Sequence, residues 1–365
     1  MEEKWGASFG KQFNKAKPYL LAVGLQFGFA GAYVFSMASL NHGMNRYVFV
    51  VYRNVIAAIA LAPFAFIFER KIRPKMTASV FIQIMVLGFL EPVIDQGFTF
   101  LGMQYTSASF ASALVNAVPS ITFILALIFR LERVNIKDVR SLAKVMGTLV
   151  TFAGASLMTL YKGPELNIFN YSSNTTHHQD GSHSPQSLKH LVAGILFLLL
   201  GCVAWSSFFI LQSMTLKRYP AELSLSTLIC VVGALQAGVV ALVANHNSGL
   251  GVWVIGWDFK LFGPLYTGIV SSGIAYYVQG LVLQSKGPVF LTAFNPLCMI
   301  IVSILGPFLF AEHLHLGSIV GAMIIAVGLY SVVWGKGKDY SEPKTPSATK
   351  EQTEIQQLPI TSSDI

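Results

Sequence analysis

Long apolar runs, separated by short clusters of charged and turn-forming residues, occupy most of the chain from residue 18 to residue 336. A helix needs about 20 apolar residues to cross about 30 Å of hydrocarbon. Ten runs meet that length: roughly 18–39, 46–68, 78–102, 107–129, 141–161, 190–216, 222–244, 259–284, 287–310 and 316–335. The pattern predicts an all-α integral membrane protein of ten transmembrane helices. Its connections are short apart from a polar stretch at 162–189. Polar ends lie at 1–17 and 337–365.

Composition supports this reading. Of 365 residues, 53% are hydrophobic and 12% charged, and the mean hydropathy is +0.59; a soluble chain carries about 25% charged residues. A net charge of +8 and pI near 9.3 would suit nucleic acid, but the basic residues sit in tracts between apolar runs, as topology signals do, so no nucleic-acid partner is expected. With a cytosolic N-terminus, twenty of the 25 Lys and Arg residues fall on the inner side: Lys4–Lys17, Arg70–Lys75, Arg130–Lys144, Lys217, Arg218, Lys286 and Lys336–Lys350. Both termini are then cytosolic. The N-terminus lacks the apolar core of a cleaved signal peptide. Cys202, Cys230 and Cys298 fall in apolar runs with no disulfide or zinc spacing.

The central stretch, then non-cytoplasmic, carries two glycosylation sequons, at Asn170 and Asn174. Its histidines, His177, His178 and His183, read as part of a disordered linker rather than a metal site. The tail after residue 336, rich in Ser, Thr, Pro, Lys and Glu, reads as disordered. No cofactor is expected.

An internal repeat is visible. Gly147, Gly154 and Lys162-Gly163 recur as Gly321, Gly328 and Lys336-Gly337; Gly24, Gly31 and Ser36 recur as Gly194, Gly201 and Ser206. Asn116-Ala-Val-Pro119 has its counterpart in Asn295-Pro296. Five runs per half is an odd number, so the second half enters the membrane inverted. Inverted repeats are the architecture of secondary transporters, whose sites lie near the midplane where the halves meet. The predicted organisation is a first five-helix repeat over 18–161, a linker over 162–189 and a second repeat over 190–336.

Several stretches resemble a known family: LQFGFAGAYVFSMASLNHGM, VVYRNVIAAIALAPFAFIFERKIRPKMT and FLGMQYTSASFASALVNAVPSITFILALIFRLERV in the first half, and GIVSSGIAYYVQGLVLQSKGPVFLTAFNPL and SIVGAMIIAVGLYSVVWGKG in the second. On these the chain resembles the plant nodulin-21-like, EamA-type transporters of the drug/metabolite transporter superfamily. More narrowly, it is similar to the branch called usually multiple acids move in and out transporters. The resemblance implies the five-plus-five fold and bidirectional movement of amino acids, usually export, commonly at the plasma membrane. A related group instead moves auxin at the vacuole. Glu91-Pro-Val-Ile-Asp-Gln96 is similar to the amino-acid-moving branch, although Gly97-Phe98 departs from the Asn-Leu that follows it there.

The candidate site begins with those carboxylates. A charge near mid-bilayer is costly and normally faces a cavity or a partner. Glu91 and Asp95 are one helical turn apart, and Asp95 lies about 10 Å below the outer end of its run. Arg53, the only basic residue away from the ends of a run, sits at a similar depth, which makes Asp95 its expected partner. Pro92 frees a carbonyl between the acids. The cluster reads either as a pathway element, with one carboxylate able to carry a proton, or as a fixed ion pair orienting two helices. Asn116, Pro119, Asn295 and Pro296 read as helix interruptions that offer backbone groups to a substrate, or as kinks satisfied internally. Gln26, Trp205, Ser206, Tyr276 and Gln279 are further polar or aromatic candidates, each equally suited to packing. Gly24-x-x-x-Gly28 and Gly317-x-x-x-Gly321 read as close-packing faces.

The reading is a transporter of small molecules in a lipid bilayer, with a homo-oligomer as an option. Auxin or another organic metabolite is the alternative cargo, and the vacuolar membrane the alternative site. No phosphate-binding G-x-x-x-x-G-K-[ST] loop is present. An intramembrane enzyme is disfavoured because every histidine falls in a connection or at a helix end, leaving Ser271 and Ser272 without a base.

Overall fold

The computed structural model describes residues 2–106, 114–132, 138–161, 165–166, 188–246, 250–254, 256, 259–310 and 314–336, with the backbone alone for 2–15. The helices are α1 (Glu2–Asn41), α2 (Arg46–Phe68), α3 (Ala78–Phe89), α4 (Gln96–Tyr105), α5 (Val118–Ile128), α6 (Val139–Leu160), α7 (Leu188–Arg218), α8 (Glu222–Ala244), α9 (Phe259–Tyr266), α10 (Ala275–Lys286), α11 (Pro288–Ala293), α12 (Asn295–Phe310) and α13 (Leu316–Lys336). Two-residue strands β1 (Glu165–Leu166) and β2 (Leu314–His315) pair antiparallel, Glu165 opposite His315. The helix begins at Glu2, so the polar N-terminal stretch continues the first helix. Asn170, Asn174, the loop histidines and the tail from 337 lie outside the described residues.

Local signals set several helix starts. Asn45 accepts from the Tyr47 and Val48 amides, Thr77 from Val80, and Asp138 from Arg140, each satisfying orphan donors of a first turn. Gly43, at φ 87°, makes the turn between α1 and α2. Gly287, at φ 78°, turns the axis by 119° between α10 and α11.

Among the described residues, five helices are long and apolar enough to cross a membrane singly: Ala16–Asn41, Arg46–Phe68, Ala78–Thr99, Val192–Arg218 and Glu222–Ala244. The bent pair Lys260–Lys286 and Pro288–Val302 passes that test together. Large apolar side chains such as Ile59, Ile67, Leu235, Val243 and Tyr330 are exposed, while Gln26, Arg53, Asn54, Glu91, Ser206 and Gln279 are buried. That inversion of the soluble arrangement is what a lipid solvent dictates.

The helix ends sort into two sets by what they touch. One set contains Glu69 with the Leu223 and Ser224 amides, Arg218 with Ser79, Lys286 over the Tyr19 ring, Lys144 with Glu132, and Arg140 over Trp334. The other contains Asn45 with Asn245, Ser39 with the Lys260 carbonyl, Tyr52 with the Trp253 carbonyl, and Tyr105 stacked on His190.

Three local devices occur twice. The run expected as one helix over 78–102 is interrupted by a π-helical segment, Leu90–Asp95, between α3 and α4; a second, Thr267–Ile274, joins α9 to α10. A turn interrupts the helical hydrogen-bond pattern at Asn116 and Ala117 before α5, and again at Phe294 between α11 and α12, although Ala117 and Phe294 keep helical dihedrals. Finally, α6 and α13 pack antiparallel through glycines. A Cβ on Gly147 would lie 2.7 Å from the Gly328 carbonyl oxygen, and one on Gly328 2.8 Å from that of Gly147. The repeated glycines therefore meet each other across this contact. The Gly24-x-x-x-Gly28 reading needs correction: Gly28 packs on Val270, but Gly24 faces open space.

Candidate functional site

Arg53, from the middle of α2, and Glu91, from the π segment, form the centre of a buried polar seam; each is 7% exposed. One guanidinium nitrogen, Nη2, donates to both carboxylate oxygens, at 2.8 and 2.9 Å. The expected Arg53–Asp95 pair is thus corrected to Arg53–Glu91. Asp95, at the end of the π segment, lies against α7. Its Oδ1 lies 3.5 Å from where a Cβ of Gly201 would stand, and its Oδ2 accepts from Gln96 Nε2 at 3.3 Å. Gly201 is what lets α7 approach this closely.

Around the pair stand polar atoms without hydrogen-bond partners. They are Arg53 Nε, Asn54 Oδ1 and Ser272 Oγ; the Tyr276 hydroxyl faces the Glu91 carboxylate, and Gln279, further along α10, is buried with its Oε1 unpartnered. Tyr276 neighbours both Arg53 and Glu91, as does Cys230 from α8, and the Cys230 thiol points to the Ser272 carbonyl at 3.7 Å. Gln212 on α7 donates to the Tyr276 carbonyl at 3.4 Å and keeps its own Oε1 unpartnered. The Tyr276 ring rests against Phe208 at 5.4 Å. Buried polar atoms are nearly always paired, so a concentration of unpaired ones beside a buried charge pair marks a place that a polar ligand or water can complete.

The remaining expected residues distribute as follows. Asn116, Pro119 and Ser206 meet at the break before α5. There the Ser206 hydroxyl donates to the Val118 carbonyl at 3.3 Å, and the Cys202 thiol reaches the Leu114 carbonyl at 3.4 Å. Backbone groups at this break are thus taken up by α7. Asn295 and Pro296 open α12, with Asn295 Nδ2 buried and unpartnered. Gln26 is buried on α1 with neither amide atom bonded, and Trp205 is half-buried against Phe209 at 5.7 Å. No contact among the described residues joins Gln26, Trp205 or Asn295 to the Arg53–Glu91 pair.

Sequence reasoning missed Asn54, Cys230, Gln212 and Ser272. Asn54 adjoins Arg53, and Ser272 lies four residues before Tyr276, which helical spacing would have shown; Cys230 and Gln212 read as ordinary residues of apolar runs. A small cleft with room for about one water opens beside the seam, lined by Tyr47, Val50, Pro92, Val93, Gln96 and Gly97. Among the described residues, no three His, Cys, Asp or Glu side chains are grouped to hold a metal.

Comparison with known proteins adds the following. A family model described as the EamA-like transporter family matches residues 16–160 and again 192–334. The WAT1-related protein At4g08290 of Arabidopsis thaliana is 57% identical over 351 residues, covering 95% of this chain and 90% of that relative. The WAT1-related protein At1g21890 of the same plant is 52% identical over 333 residues, covering 89% and 85%. A solved crystal structure shares the fold with a TM-score of 0.66 at 13% identity, over 87% of this chain and 98% of that one.

Proposed function

The chain belongs to the EamA-like transporter family and is a multi-pass membrane transporter; from that premise we propose that it moves amino acids across a plant plasma membrane, in both directions with net export. It does so as a secondary transporter, by alternating access. Ten helices form two inverted five-helix repeats, 18–161 and 190–336, around the linker 162–189, with the 1–17 and 337–365 ends in the cytosol. The duplicated π segments, helix breaks and glycine contacts support this organisation, because each half supplies the same device from the opposite direction.

One observation carries the cargo reading: a buried guanidinium and two buried carboxylates, ringed by unpartnered polar atoms. A zwitterion presents one charge of each sign and satisfies such a set at both ends. Arg53 takes the carboxylate end, and Glu91 or Asp95 the ammonium end. Tyr276, Ser272 and Asn54 are placed to bind the rest.

The test is efflux of labelled glutamine from preloaded oocytes, comparing the wild type with Asp95→Asn and Arg53→Gln at matched surface expression. Release by the wild type and not by the variants supports the reading. No release by the wild type sinks glutamine export, and auxin is then the cargo to load.

A further inference from the structure

We propose that the Glu2–Lys15 part of α1 is an interfacial helix that docks on an anionic lipid leaflet, its Trp5–Phe9–Phe13 face set in the headgroup boundary and its lysine face held by the surface charge. The inference needs only a chain that spans a bilayer; it does not depend on the cargo.

Length is the first observation. Helix α1 runs for 40 residues, Glu2–Asn41, which is about 60 Å of helix against about 30 Å of hydrocarbon. The part apolar enough to cross begins at Ala16. The turns from Glu2 to Lys15 are therefore helix outside the span, about 21 Å of it. Their sequence, EEKWGASFGKQFNK, is too polar for the hydrocarbon core yet carries three large aromatic residues.

Spacing is the second. Trp5, Phe9 and Phe13 recur every four residues, so on an α-helix they share one face, while Lys4, Lys11 and Lys15 fall on the far side. Glu2 and Glu3 lie in the first turn, where negative charge suits the amide end of a helix. With Lys17 added, four cations stand against those two acids. A basic helix with an aromatic face is the pattern of a segment that lies in the membrane interface rather than across it. Pro18 sits inside α1 at the join. It withdraws one backbone hydrogen bond there, which is where the segment can turn from the direction of the span into the plane of the leaflet.

Charge decides what covers this face. The Tyr19 ring lies under Lys286, so the segment emerges on the basic side of the bundle, cytosolic in the topology proposed above. Among the described residues on that side Arg70, Lys71, Arg73, Lys75, Lys217 and Arg218 are exposed. The acids there are engaged: Glu69 by the Leu223 and Ser224 amides, Glu132 by Lys144, Asp138 by the Arg140 amide and Glu222 by Gln284. The bundle's own face thus repels the lysines. A leaflet of anionic lipids attracts them, provided the helix lies within a Debye length of its surface.

The experiment is tryptophan fluorescence of the full-length protein in vesicles, read as the difference between wild type and Trp5→Phe, which isolates Trp5. The vesicles are phosphatidylcholine alone or phosphatidylcholine with phosphatidylserine, each with and without brominated acyl chains. Emission common to both proteins, from the remaining tryptophans, is the control of the fold. With phosphatidylserine the Trp5 emission is expected to shift to the blue, and its quenching by bromine to deepen about twofold or more over phosphatidylcholine alone. High salt is expected to remove that gain, as is reversal of the three lysines (Lys4→Glu, Lys11→Glu, Lys15→Glu) made with and without Trp5. Red emission, quenched by iodide in the water and not by bromine, overturns the proposal: the helix then runs straight into the cytosol. Blue emission that bromine leaves untouched overturns it too, since protein, from this copy or a second one, then covers the face. Equal quenching in the two lipids overturns the anionic leaflet as the partner.

Discussion

Two buried regions of this protein each contain an ion pair, and they are built on opposite principles. In the Arg53–Glu91 seam the charges sit among polar atoms that have no partner. Where α6 meets α13, the Lys144–Glu132 pair closes one end of a contact in which the polar atoms are used. Thr148 and Thr151 donate to the Lys144 and Gly147 carbonyls, and glycines bring the two backbones together. A satisfied, glycine-packed contact resists rearrangement; an unsatisfied one pays for its burial only when something arrives to complete it. On the function proposed above, the difference separates a strut from a path.

The largest effect should come from exchanging charge for apolar bulk in both regions. Arg53→Met with Glu91→Leu removes the ion pair as a unit, so the protein is expected to fold, yet efflux should fall by about a hundredfold or more, given about 1.5–3 kcal/mol for each charge-assisted hydrogen bond to substrate that the variant cannot make. Lys144→Met with Glu132→Leu should leave efflux within about twofold. Equal losses in the two double variants would erase the distinction between strut and path.

Single removals should instead hurt both regions alike. Arg53→Met takes the ion-pair cation from the buried Glu91 carboxylate, and Lys144→Met that from Glu132, at about 3–5 kcal/mol each, read as a fall in the unfolding temperature by tryptophan fluorescence. Next in size is steric. Gly328→Val would drive its side chain into the Thr151 amide and the Gly147 carbonyl, 2.6 and 2.8 Å from the first added carbon, and should cost about 1–3 kcal/mol. Smaller again is Glu69→Ala, which removes a side-chain cap on the first turn of α8 and should cost about 1 kcal/mol. Gly97→Ala, beside the seam with nothing within 4 Å, should stay within about 0.5 kcal/mol.

Helices, the membrane setting and the doubled glycines were legible because apolar run length and small-residue spacing are local in sequence. Gly147 and Gly154 could be matched to Gly321 and Gly328 before anything showed that Gly147 and Gly328 touch. The choice of Glu91 over Asp95 as the partner of Arg53 was not legible, because acids four residues apart share one helix face, and which of them meets α2 and which meets α7 is set by packing between distant runs. Glu69 was hidden for a different reason: an acidic residue beside Arg70 and Lys71 looks like part of a solvated charge cluster. Its role as the cap of α8 depends on a contact across 154 residues of chain, which no local periodicity encodes.

One consequence concerns mechanics. The α2–α8 pair is fastened at both extremities, by Asn45 to Asn245 and by Glu69 to the Leu223 and Ser224 amides. About 24 residues separate the fastenings along α2, a rod of about 36 Å, with Arg53 between them. A rod bolted at both ends transmits no tilt. If the carrier opens alternately on either side, as proposed above, one bolt must slide, and the other then becomes the fulcrum. The bolts are unequal: an amide-to-amide bond at one end, a carboxylate gripping two backbone donors at the other. Such a lever rests with its weaker catch ready to lift first.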